Sequence, residues 1–256
     1  MASPDEIRYM KVGRGAGGAR PFHLRWLIPW IVGPNLAVAR ATQLISMLVL
    51  AAYCAAESGH WWMGLIPFGL TGLTLNFRLP FLVDLPALAT AAAAAWLADD
   101  YLPAAIALSV VAGAMKETAP VFSAAYAWNP WLLVGLIAPA LRHWRHRPVE
   151  DCLDDENAWI LAHPFAAAAK YHRAIPSWAY ILPWGALLVN AGSLDHRQIV
   201  VLVLAYAQIL IATDTVRLYQ WATPALVVGP LADIPTSWVW IVLALHFTHP
   251  FRTQGV

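Results

Sequence analysis

PFLVDLPALATAAAAAW (residues 80–96) and AGAMKETAP (residues 112–120) decide how this chain is read. Both segments are rich in Ala and other apolar residues and have the character of membrane interior, yet they carry Asp84, Lys116 and Glu117. A charged side chain at membrane depth is costly and as a rule faces a bundle interior or a wet cavity. The three charges therefore mark either a site or the ends of helices from which long side chains snorkel to the interface.

The surrounding composition favours a membrane setting. Hydrophobic residues make up 60% of the 256 and charged residues only 12%, against about 25% charged in a soluble domain. Apolar stretches recur from about residue 26 to about residue 248 with no polar block long enough for a separate soluble domain. The chain accordingly reads as an all-α, polytopic integral membrane protein forming a single domain over 1–256. Trp26, Trp30, Trp61, Trp62, Trp128, Trp131, Trp238 and Trp240 stand at segment ends, where an amphipathic ring prefers the interface. The net charge of +1 implies no polyanionic partner such as nucleic acid. Cys54 and Cys152 are too few for a metal cluster or a disulfide framework. The first 25 residues lack the apolar core of a signal peptide.

With a span needing roughly 17 to 25 residues, the candidates are about 37–56, 61–77, 80–98, 102–118, 121–141, 176–194, 198–214, 217–232 and 235–248, about nine crossings. LRWLIPWIVGPN (24–35), with Pro29 and Pro34 inside it, reads as an interfacial or re-entrant segment. Four regions follow: an extracytoplasmic or interfacial segment 1–36, a helical module 37–141, a basic loop with an amphipathic segment 142–175, and C-terminal helices 176–256. RHWRHRPVE (142–150) holds three Arg with His143 and His146, and the positive-inside rule places it in the cytoplasm. Counting five crossings back puts residues 1–36 outside. Asp84, Lys116, Glu117, Arg78, Asp5 and Glu6 then share the outer surface. The N-terminal cations Arg8, Lys11, Arg14, Arg20 and Arg25 fall outside as well, against the charge bias, and there would bind a lipid-linked phosphate or anionic headgroups.

The order DEIRYMKVGRG (5–15), RPFHLRWLIPW (20–30), FRLPFLVDLPALA (77–89), AGAMKETAPVF (112–122) and TDTVRLYQWATPAL (213–226) resembles the membrane-embedded GT-C glycosyltransferases. The resemblance covers most of the first 125 residues and the stretch from Asp214 to Pro224. It implies a transferase that takes a sugar from a polyprenyl-phosphate donor at the extracytoplasmic face, with inversion. Asp5 or Glu6 would be the base that deprotonates the acceptor hydroxyl, Asp5 being the better match because Tyr9 follows it at the family's distance. Arg25, Arg78, Lys116 and Arg217 would neutralise the donor phosphate, while Asp84 and Glu117 would orient those cations or the sugar hydroxyls. A divalent cation is left open as cofactor, and no protein metal ligands are assigned. The partners are the lipid-linked sugar donor, membrane lipids, and a partner subunit or second copy.

GT-C enzymes carry a membrane helix ahead of their acidic loop, whereas Asp5 stands near the start of this sequence. A reduced member helped by a partner, or a noncatalytic scaffold of the same fold, are the two expectations that follow. Arg217 lies on the outer face only if ENAWILAHPFAAAAKY (156–171) crosses the bilayer. A small-solute transporter would need charges nearer the midplane. A haem or metal site would draw on the pairs His143/His146 and His246/His249, which read as solvated histidines at span ends. The Ala-, Trp- and Arg-rich composition points to the cytoplasmic membrane of a GC-rich bacterium or a phage of one.

Overall fold

The computed structural model describes residues 4–14, 24–145, 159–160, 162–173, 175, 177–188, 194–210, 220–228 and 234–248. Every regular element among them is helical, as the sequence predicts, and the chain forms two compact units, each discontinuous in sequence. The first comprises residues 1–50 and 76–153, the second residues 51–75 and 154–256.

In the first unit α1 (Pro4–Gly13) and α2 (Leu27–Val32) precede the N-terminal part of α3 (Leu36–Ser58). α3 has 23 residues and is the one helix among the described residues long and apolar enough to cross a membrane. At the α-helical rise it is about 35 Å long, against a hydrocarbon core of about 30 Å. The predicted span 61–77 is instead a 3-10 turn (Trp61–Leu65), a single α-turn α4 (Ile66–Gly69), an extended Leu70 and the short α5 (Thr71–Arg78). Window hydropathy averages over such breaks, so the stretch reads as continuous.

α6 (Asp84–Trp96) is the centre of the first unit. It is apolar all round, and Leu85, Ala87, Leu88, Ala89, Ala91, Ala92 and Ala94 are buried; such a helix must be covered on every side. α7 (Leu102–Met115) and α8 (Ala119–Ala127) pack on it. The turn at residues 97–101 is too short for anything but an antiparallel α6–α7 hairpin. Tightness at its flank comes from small residues. A Cβ on Gly113 would run into the Gly135 carbonyl, and one on Gly135 into Ser109. The Ser109 hydroxyl donates to the Leu132 carbonyl at 2.6 Å.

The stretch 121–141, predicted as one crossing, reverses direction. α8 stops at Trp128, whose φ of 53° and ψ of 37° are left-handed. The Asn129 side chain then accepts the Trp131 N–H at 3.0 Å and starts a 3-10 helix, Pro130–Leu136, that runs into α9 (Ile137–Arg145). The 3-10 helix packs back on α8, and the Arg142 guanidinium ends 5.8 Å above the Trp26 ring. Arg142 and Trp26, which the crossing count puts on opposite faces, thus lie against each other. One left-handed residue, invisible to hydropathy, marks where the chain turns back.

In the second unit the helix Thr236–Thr248 is tied by His246 to two distant segments. The His246 Nε2–H donates to the Ile66 carbonyl at 2.8 Å and Nδ1 accepts the Ala186 N–H at 3.1 Å. Because an amide can only donate, the ring here is the neutral Nε2–H tautomer. The sequence reading of a solvated histidine is therefore corrected: His246 is fully buried. Its partners lie 180 and 60 residues away. A Cβ on Gly69 would overlap the imidazole, which accounts for the glycine there. His249 and His146 lie outside the described residues.

Candidate functional site

Five of the residues expected to carry chemistry meet at one end of the first unit. Asp84 sits in the first turn of α6 and Lys116 caps α7, so each charge complements its own helix dipole. Because α6 and α7 are antiparallel and nearly equal in length, those two ends coincide. The Lys116 ammonium donates to the Asp84 carboxylate, and both side chains are about 95% withdrawn from solvent, being 4% and 5% exposed. A buried pair of this kind stands only with both members present.

Glu117, the next residue, turns the other way. The Arg25 guanidinium grips it with two bonds, Nε to Oε2 at 2.8 Å and Nη2 to Oε1 at 2.5 Å, and donates through Nη1 to the Tyr9 hydroxyl at 2.9 Å. Burial by itself would lower the pKa of the Arg25 guanidinium, but Glu117 and Tyr9 outweigh it and hold the group well above its ordinary value. The cation is permanent. With 13% and 25% of their side chains exposed, Arg25 and Glu117 form the accessible side of the cluster and Lys116–Asp84 the inner one.

The loop from Leu79 to Val83, which delivers Asp84, is held from three directions. Gln43, fully buried on α3, donates both amide hydrogens, to the Pro80 carbonyl at 2.8 Å and the Leu82 carbonyl at 2.7 Å. The Asn76 carbonyl oxygen accepts the Leu85 N–H at 3.4 Å, and a Glu6 carboxylate oxygen accepts the Phe81 N–H, also at 3.4 Å. Glu6 is 3% exposed, the placement of an anchor for this loop more than of a base facing an acceptor. Two buried polar atoms beside this arrangement, Gln43 Oε1 and Thr118 Oγ1, have no hydrogen-bond partner among the described residues. Native interiors seldom leave such atoms unmatched.

Arg78 ends α5 exposed to solvent. The side chain of Asp5 and the whole of Arg217, with Asp214, lie outside the described residues. Among the described residues no three His, Cys, Asp or Glu side chains are grouped as a metal site. Gln43 and Asn76 were not singled out from the sequence. The one amide side chain within the predicted span 37–56 was the available signal for Gln43, since a buried polar group needs a partner. Comparison with protein-family models, curated proteins and solved structures finds no match for this chain.

Proposed function

We propose that this chain is a membrane-embedded glycosyltransferase of reduced GT-C type that moves a sugar from a polyprenyl-phosphate donor to an acceptor hydroxyl. The observation that carries the reading is the convergence of Arg25, Glu117, Lys116 and Asp84, drawn from residues 25 to 117, into one largely buried cluster beside Tyr9, with Arg25 and Glu117 on its accessible side. In this reading Asp5 takes the acceptor proton, the acceptor oxygen bonds to the anomeric carbon, and the bond from that carbon to the phosphate oxygen breaks. The phosphate leaves with the electron pair, and Arg25 stabilises the charge that develops on it. Glu117 and Tyr9 hold the guanidinium in place, and Lys116–Asp84 fixes the backbone beneath. The extracytoplasmic location follows from the resemblance to GT-C enzymes.

A second reading, a noncatalytic scaffold of the same fold, draws on a different observation: both cations of the cluster are already matched by carboxylates. One experiment separates the two. The purified full chain, in vesicles loaded with polyprenyl-phosphate sugars and supplied with a cell-envelope extract as the source of acceptor hydroxyls, is assayed for release of polyprenyl phosphate, alongside Asp5→Asn. Release that depends on Asp5 supports the transferase. Release no greater than that of Asp5→Asn gives the scaffold.

A further inference from the structure

The fold gathers exposed cations that the sequence scatters. Lys11 and Arg14, one turn apart at the end of α1, are both exposed, and α1 packs on α2. On α2, Trp30 is 70% exposed. At the end of α9, Trp144 is 79% exposed with Arg145 beside it in solvent. The bridge between these elements is Trp26, which lies under Arg142 and edge-on to Trp30, with ring centroids 6.5 Å apart.

Among the described residues charge is segregated along the unit. The exposed acids Asp99 and Asp100 stand at the turn after α6, about 20 Å of helix away from Asp84. At the cationic end Glu6 is buried and Glu117 is engaged by Arg25. A rim that joins exposed indole rings to Lys and Arg, its described acids Glu6 and Glu117 buried or engaged by Arg25, matches the boundary between anionic headgroups and acyl chains.

We propose that Lys11, Arg14, Trp30, Trp144 and Arg145 form one continuous rim that seats this end of the first unit on the anionic phospholipids of a single leaflet. The inference rests on the membrane part of the proposed function and is independent of catalysis.

The test uses the full chain with Cys54→Ala and Cys152→Ala and one reporter cysteine, Ile7→Cys or Leu141→Cys, which leaves every cation in place. In intact cells and in inverted vesicles a membrane-impermeant maleimide should modify both reporters from the same face. After reconstitution, vesicles of phosphatidylcholine with phosphatidylglycerol should slow the modification relative to phosphatidylcholine alone, by about fivefold for each cation seated. High salt should restore the rate. Replacing Lys11, Arg14 and Arg145 together by Glu, or in a second variant by Gln, should remove the dependence on phosphatidylglycerol. Modification of the two reporters from opposite faces, or rates indifferent to phosphatidylglycerol, would overturn the rim. A chain that floats with neither kind of vesicle would remove the membrane reading itself, an outcome distinct from loss of the rim alone.

Discussion

Lys116 and Asp84, 32 residues apart, are joined by a buried ion pair where the C-terminus of α7 meets the N-terminus of α6. The pair closes the open end of the hairpin, and the accessible Arg25–Glu117 pair is built directly on it. What perturbs the inner pair should be read first as stability, and what perturbs the outer pair first as ligand chemistry.

Lys116→Met leaves the Asp84 carboxylate buried without its cation and should destabilise the protein by about 3–5 kcal/mol. The double variant Lys116→Met/Asp84→Asn should recover part of that loss. Denaturant-induced unfolding in detergent, run as a double-mutant cycle, measures the coupling; additive losses would show that the two side chains do not act as a pair.

Arg25→Lys keeps the charge but loses the planar fork that grips Glu117 at two oxygens and reaches Tyr9. Because a lysine cannot reproduce this bidentate geometry, release of polyprenyl phosphate should fall by about 10²-fold, the scale of a lost charge-stabilising donor. Stability should fall too, by about 1–3 kcal/mol for the charge-assisted bonds lost, so the rate is compared per folded protein. A full-rate Arg25→Lys enzyme would exclude Arg25 from the leaving-group contact.

Gln43→Leu removes both donors from the Pro80 and Leu82 carbonyls inside the protein. The expected cost is about 1–3 kcal/mol for each carbonyl left unmatched, with hydrogen exchange accelerating across residues 79–85 and little change elsewhere. Uniform acceleration over the first unit would mean that Gln43 supports packing in general and not this loop.

Gly69→Ala sets a methyl group against the His246 imidazole. Overpacking at this site should cost about 1–3 kcal/mol, and the damage should appear as protease sensitivity in the helix Thr236–Thr248. Combining it with His246→Ala should cost less than the sum of the two single changes, because the ring that clashes is gone.

Much of the site was legible as a list of residues. Asp84, Lys116 and Glu117 stood out because charges are rare in Ala-rich apolar sequence, and Arg25 and Glu6 because they fall in ordered motifs. Their partners were not legible. Nothing local to Arg25 announces that it grips Glu117, 92 residues on, and nothing local to Glu6 announces that it takes the Phe81 amide. The burial of His246 was hidden for the same reason, since its environment is made by Ile66, Gly69 and Ala186.

By itself the sequence determined an all-helical, strongly apolar chain and the short set of charges worth watching, because helix periodicity and the cost of burying charge are written residue by residue. The tertiary structure alone decided which charges pair and where the chain reverses. It decided also that Arg142 lies against Trp26. Those outcomes turn on single backbone angles, as at Trp128, and on contacts between residues far apart in sequence, and a windowed reading of hydropathy averages the first away and never sees the second.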